Sequence, residues 1–68
     1  MLQEYDLVRL KQPMESPKLG VEVIGTIVMV YDDPPAYEVE FVDDKGSTLA
    51  ILTLEEDKLA RVSRTNVD

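Results

Sequence analysis

Apolar and polar residues alternate with a period of two from Ala36 to Val42. Tyr37, Val39 and Phe41 fall on one face, and Ala36, Glu38 and Glu40 on the other. This is the pattern of a strand with one wet face. Tyr5–Leu10 and Thr48–Leu54 read as two further strands. Gly25–Tyr31 is a β-branched, apolar run that predicts a mostly buried strand. Between the first two strands, Lys11 to Val23 carries Pro13, Ser16, Pro17 and Gly20, which predicts a long open loop. Asp32–Pro35 ends the second strand, and pairing is expected to restart after Pro35, which has no amide proton to offer a ladder. Asp43-Asp44-Lys45-Gly46 suits a type I turn with Gly46 in the left-handed conformation of a bulged hairpin. Glu55–Lys58 predicts one helical or 3₁₀ turn, and Leu59–Val62 a short closing strand. The alternation puts Leu7, Ile27, Met29, Tyr37, Val39, Phe41, Ile51 and Leu59 in the core, with Val28 and Leu54 as further candidates.

No segment keeps a helical period, and no internal repeat is present. The expected fold is all-β: a small SH3-like five-stranded, partly open barrel with a long first loop and one short helical turn before the last strand. Curling onto itself is how so small a sheet limits its exposed edges. An OB-fold is the alternative, but it needs a longer chain and a longer helix between strands. With 68 residues the chain is expected to be one domain over residues 1–62, followed by a flexible, polar C-terminal tail over 63–68.

Charge changes the picture more than size does. Seven basic residues stand against 14 acidic ones, for a net charge of −7. The excess lies between Asp32 and Asp57, where Lys45 is the sole base. Phosphate backbones are bound mainly by Lys and Arg, so nucleic acid and anionic membrane are disfavoured as main ligands. The N-terminus lacks a basic start followed by an apolar run, so no signal peptide is expected. No apolar run approaches the roughly 20 residues of a membrane helix. Absence of Cys removes disulfides and thiolate metal sites. Together these features predict a soluble, cytoplasmic protein.

The chemistry open to the chain is narrow. It contains no His, so no Ser–His or Cys–His nucleophile exists. Ser16, Ser47 and Ser63 fall in loops or the tail with no base beside them. Exposed carboxylates such as Glu38 and Glu40 make poor general acids. No enzymatic activity and no cofactor are expected. Asp43-Asp44-Lys45-Gly46-Ser47-Thr48 fails the calcium-loop pattern, because Lys45 and Ser47 stand at the alternate positions that need carboxylates or amides. No metal site is expected. The aromatics are Tyr5, Tyr31, Tyr37 and Phe41, without Trp, so no aromatic groove for polyproline is predicted either.

The run from Gly25 to Leu54 resembles a family of short bacterial proteins of unknown function, frequent in cyanobacteria. The matching positions are Tyr5, Asp6, Val8 and Leu10; Gly25, Thr26, Ile27 and Val28; Ala36 through Asp43; Gly46 and Thr48; and Thr53 with Leu54. The family usually has Gly-Asp before its Gly-Thr strand, where this chain has Glu22-Val23. The resemblance implies an SH3-like barrel and no established activity. Some members resemble the smaller partner of a toxin–antitoxin pair. The functional expectation is a non-enzymatic protein–protein interaction domain, antitoxin-like or regulatory, monomeric or weakly dimeric. It would present Asp32, Asp33, Glu38, Glu40, Asp43, Asp44, Glu55 and Glu56 to a larger protein with a basic surface, such as a toxin or nuclease encoded nearby. The runner-up is an accessory domain that stabilises a larger subunit.

Overall fold

The computed structural model describes residues 1–62. The tail expected over 63–68 lies outside the described residues. Among the described residues seven strands form: β1 (Leu7–Leu10), β2 (Met14–Glu15), β3 (Lys18–Leu19), β4 (Ile24–Asp32), β5 (Pro35–Val42), β6 (Thr48–Leu54) and β7 (Leu59–Arg61). A 3₁₀ turn, Glu56–Lys58, precedes β7. Five strands make one antiparallel sheet in the order β6-β5-β4-β1-β7. The protein is therefore all-β, as the alternation predicts.

The first loop differs from expectation. It is not open throughout: β2 and β3 pair within it as a small ribbon, with a cis Ser16–Pro17 peptide bond at its turn. The ribbon carries Leu19 into the core. A turn over Gly20–Val23, closed by the Val23 amide donating to the Gly20 carbonyl at 3.3 Å, then leads into β4. Pairing also resumes one residue earlier than expected, because Pro35 opens β5 opposite Asp32. A proline at the first position of a strand costs no essential ladder bond.

One apolar cluster holds the sheet: Leu2, Val8, Leu10, Leu19, Ile27, Tyr37, Val39, Phe41, Leu54 and Leu59. Three expected core residues lie outside it: Leu7, Met29 and Ile51 are 38%, 49% and 54% exposed. The reasons are matters of register. Val8 pairs with Gly25 and Leu7 with Thr26, so Val8 shares the inner face and Leu7 the outer one. In β4 a bulge between Ile27 and Met29 makes Val28 the extra residue, half-buried, and sets Met29 opposite Glu38 on the outer face. In β6, Ile51 stands opposite Glu40 while Ala50 stands opposite Phe41. Sliding by one residue moves a whole strand's side chains to the other face.

The β5–β6 turn forms as predicted. Gly46 takes φ +84°, and its amide donates to the Asp43 carbonyl at 3.0 Å. Among the described residues the sheet ends at β6 and β7, which pair with β5 and β1 and not with each other.

Candidate functional site

Glu38 and Glu40 sit in the middle of β5 on the outer face. Glu38 has Met29 on one side and Thr53 on the other; Glu40 has Thr26 and Ile51. The neighbouring strands supply hydroxyls to both. Thr53 Oγ1 donates to Glu38 Oε1 at 2.6 Å, and the Tyr31 hydroxyl reaches the same oxygen at 3.3 Å. Thr48 Oγ1 donates to Glu40 Oε2 at 2.5 Å. Hydrogen bonds to an ionised acceptor are short and strong, and these fix the two side chains in place. Among the described residues neither carboxylate meets a lysine or arginine; the ion pair present joins Asp6 and Arg61 at 2.8 Å. Partial burial, and then the Glu38 carboxylate beside it, raise the Tyr31 phenol above its ordinary pKa. Met29, Tyr31 and Ile51 lie exposed on this same face. The face therefore mixes two held negative charges with apolar side chains that have no cover.

The eight acidic residues expected to act together are spread along the length of β5. The register of β5 puts Asp32 and Asp33 at one end, close in sequence to its pairing with Pro35, and Glu55 and Glu56 follow Leu54, which pairs with Tyr37 near that same end. Asp43 and Asp44 lie at the opposite end, with Glu38 and Glu40 between. Besides Glu38 and Glu40, two of the eight accept hydrogen bonds from within the fold. Asp43 Oδ1 accepts from the Lys45 and Ser47 amides, both at 2.9 Å, and so organises its own turn. Glu56 Oε1 accepts from the Tyr37 hydroxyl at 3.0 Å, which ties the 3₁₀ turn to the core.

The Tyr37–Glu56 contact has a measurable consequence. Burial, followed by the hydrogen bond to Glu56 and its charge, raises the Tyr37 phenol above its ordinary pKa. The folded state therefore holds that proton more tightly than the unfolded one. This stability is fully present below the unfolded value of about 10 and is lost as pH rises through the folded value. Tyr37→Phe should flatten the fall in stability above about pH 10, as read by urea melts across that range. An alkaline profile identical to wild type would show that Tyr37 is not the group responsible.

Sequence reasoning missed a cleft of about 350 Å³ between the start of the first loop and the 3₁₀ turn, lined by Leu10, Lys11, Pro13, Met14, Leu54 and Lys58 among others. It arises because the β2–β3 ribbon folds the loop back, and a ribbon of two-residue strands leaves no alternation to detect. The hydroxyl partners of Glu38 and Glu40 were also missed, since naming them needs the register of β6. Among the described residues no group of His, Cys, Asp or Glu is placed to hold a metal ion. No helix among them is long and apolar enough to cross a membrane.

No curated protein and no solved structure matches this chain. A family model, described as Domain of unknown function (DUF4926), matches residues 4–61. The chain belongs to that family.

Proposed function

We propose that this member of the DUF4926 family is a non-enzymatic interaction domain of SH3-like barrel form. It binds a basic surface of a larger protein through the outer face of β4, β5 and β6, in an antitoxin-like or regulatory role. For the barrel, the support is topological. The five sheet strands, counted along the chain, lie in the order fifth, first, second, third, fourth, and a 3₁₀ turn precedes the last. Val8, Ile27, Val39 and Phe41 are fully buried although Leu2 and the Leu19 of the small β2–β3 ribbon are the core residues from outside the sheet strands, which supports a sheet that curls over its own inner face.

The observation that carries the interaction reading is the setting of Glu38 and Glu40. Their carboxylates are held by Thr53, Tyr31 and Thr48 and lie among exposed Met29, Tyr31 and Ile51. Held charges lose little side-chain entropy on binding. Apolar neighbours supply area to bury, and the surrounding negative field speeds encounter with a basic partner. An acidic chain with no His favours this role over nucleic-acid binding or catalysis.

The test replaces both glutamates with glutamines. Gln keeps an acceptor for the threonine hydroxyls and deletes the charge. With the partner recovered from the native host, Glu38→Gln/Glu40→Gln should slow association about tenfold or more at low salt. High salt should narrow the difference, and the thermal melt should stay close to wild type. A normally folded double variant that associates at the wild-type rate would reject the acidic face.

A further inference from the structure

We infer that the free edge of β6 accepts an extended, lysine- or arginine-flanked segment of the partner as an added antiparallel strand. The inference deepens the reading above and rests on it for the partner's charge.

The two edges of the sheet are unlike. β7 is three residues long and ends at Arg61, whose guanidinium is paired with Asp6. It is a short, charged edge of the kind that resists pairing. β6 is seven residues long, and among the described residues its far side pairs with nothing. Thr48-Leu49-Ala50-Ile51-Leu52-Thr53-Leu54 contains no Pro and no charged residue. The extra residue at Leu49 breaks the regular ladder near the start of the strand, which leaves Ala50–Leu54 as a regular stretch. Alternate residues along such an edge point their amide and carbonyl groups outward, which is a template for another chain. Ile51, 54% exposed, and Thr53 sit on the outer face, where an added strand would place side chains beside them.

Charge decides the occupant. Glu38 and Glu40 stand on the neighbouring strand, bonded to Thr53 and Thr48 of β6 itself. Asp43 and Asp44 precede the strand and Glu55, Glu56 and Asp57 follow it. Seven acids against Lys45 and Lys58 thus surround a neutral edge. A second copy of this chain, paired antiparallel, would set the acids before one β6 against the acids after the other, at both ends of the pair. Like charges so placed oppose pairing. A segment with apolar or β-branched residues at its centre and cations at its ends meets the acids before and after β6 with the opposite sign.

The experiment uses the full chain, isotope-labelled, and a short peptide of alternating Val and Thr with paired lysines at each end. Binding is read by titration and by amide hydrogen exchange. Amides within Ala50–Leu54 should gain protection. The same peptide N-methylated at its central residues keeps every side chain and charge but loses its strand donors, and it should bind about tenfold more weakly or worse. Replacing the lysines by serines should weaken binding at low salt by a similar factor. Equal binding of the parent and methylated peptides would overturn strand addition while leaving the acidic-face reading in place. Protection of β6 that is indifferent to the lysines would overturn the basic occupant and the reading it rests on. No binding up to about 1 mM, or a concentration-dependent dimer that protects the same amides, would also overturn the inference.

Discussion

Phe41→Ala is expected to lower the unfolding free energy by about 3–5 kcal/mol. A domain this small commands only about 5 kcal/mol in all, so the variant should melt at least ~15 °C lower or be unfolded at room temperature. The reason lies in three strands. Phe41 is fully buried, and its cross-strand partners are Gly25 on β4 and Ala50 on β6. Both are small, and the phenyl ring together with Val39 fills the space over Gly25. With the ring removed, neither partner has a side chain long enough to fill the space, and the variant keeps a cavity. Phe41→Leu fills much of that volume and should cost markedly less. Urea melts of the two variants beside wild type decide the matter. If Phe41→Ala melts with wild type, the ring is not the centre of the core.

Strand positions were legible because turn residues punctuate the chain. Asp33-Pro34, Asp43–Gly46 and Pro17 each fall where the chain reverses. Facing was legible only where one phase is polar. In β5 the glutamates fix it. In β6 both phases are apolar: Leu49 and Ile51 compete with Leu52 and Leu54, and only the pairing of Phe41 with Ala50 settles which set turns inward. β4 is apolar from Ile27 to Val30, and nothing in Ile27-Val28-Met29 announces a bulge. The outward facing of Leu7 is legible, because Leu7 shares its phase with Arg9, and a buried arginine would need a partner. Leu2 and Leu19 enter the core from segments too short to show any period. The acidic character of the candidate face could be read from Glu38 and Glu40 alone. The internal duties of Asp43 and Glu56 could not, because each depends on a contact set by the fold: a turn closed at Ser47, and a tyrosine 19 residues away.

Gly25→Ala is expected to cost about 1–3 kcal/mol, and more than Gly46→Ala, for opposite physical reasons. A Cβ on Gly25 would lie 2.6 Å from Val39 Cγ1 and 2.9 Å from Phe41 Cδ1 and Cε1. Both side chains are fully buried, so neither has solvent to move into. The sheet must spread between β4 and β5, or the ring must leave its place. At Gly46 a Cβ would meet nothing within 4 Å. The cost there comes from the backbone alone, since φ +84° disfavours any residue with a Cβ by about 1 kcal/mol. Asn tolerates that region and should be milder still than Ala at Gly46. A double-mutant cycle separates the two causes. Shortening Val39 to Ala removes the atom nearest the new Cβ, so Gly25→Ala/Val39→Ala should be less destabilised than the sum of its parts, by about 0.5–3 kcal/mol. Gly46→Ala combined with Val39→Ala should be additive, because the turn and the core share no contact that either change disturbs. Additivity at Gly25 as well would mean that β4 simply shifts to admit the methyl group.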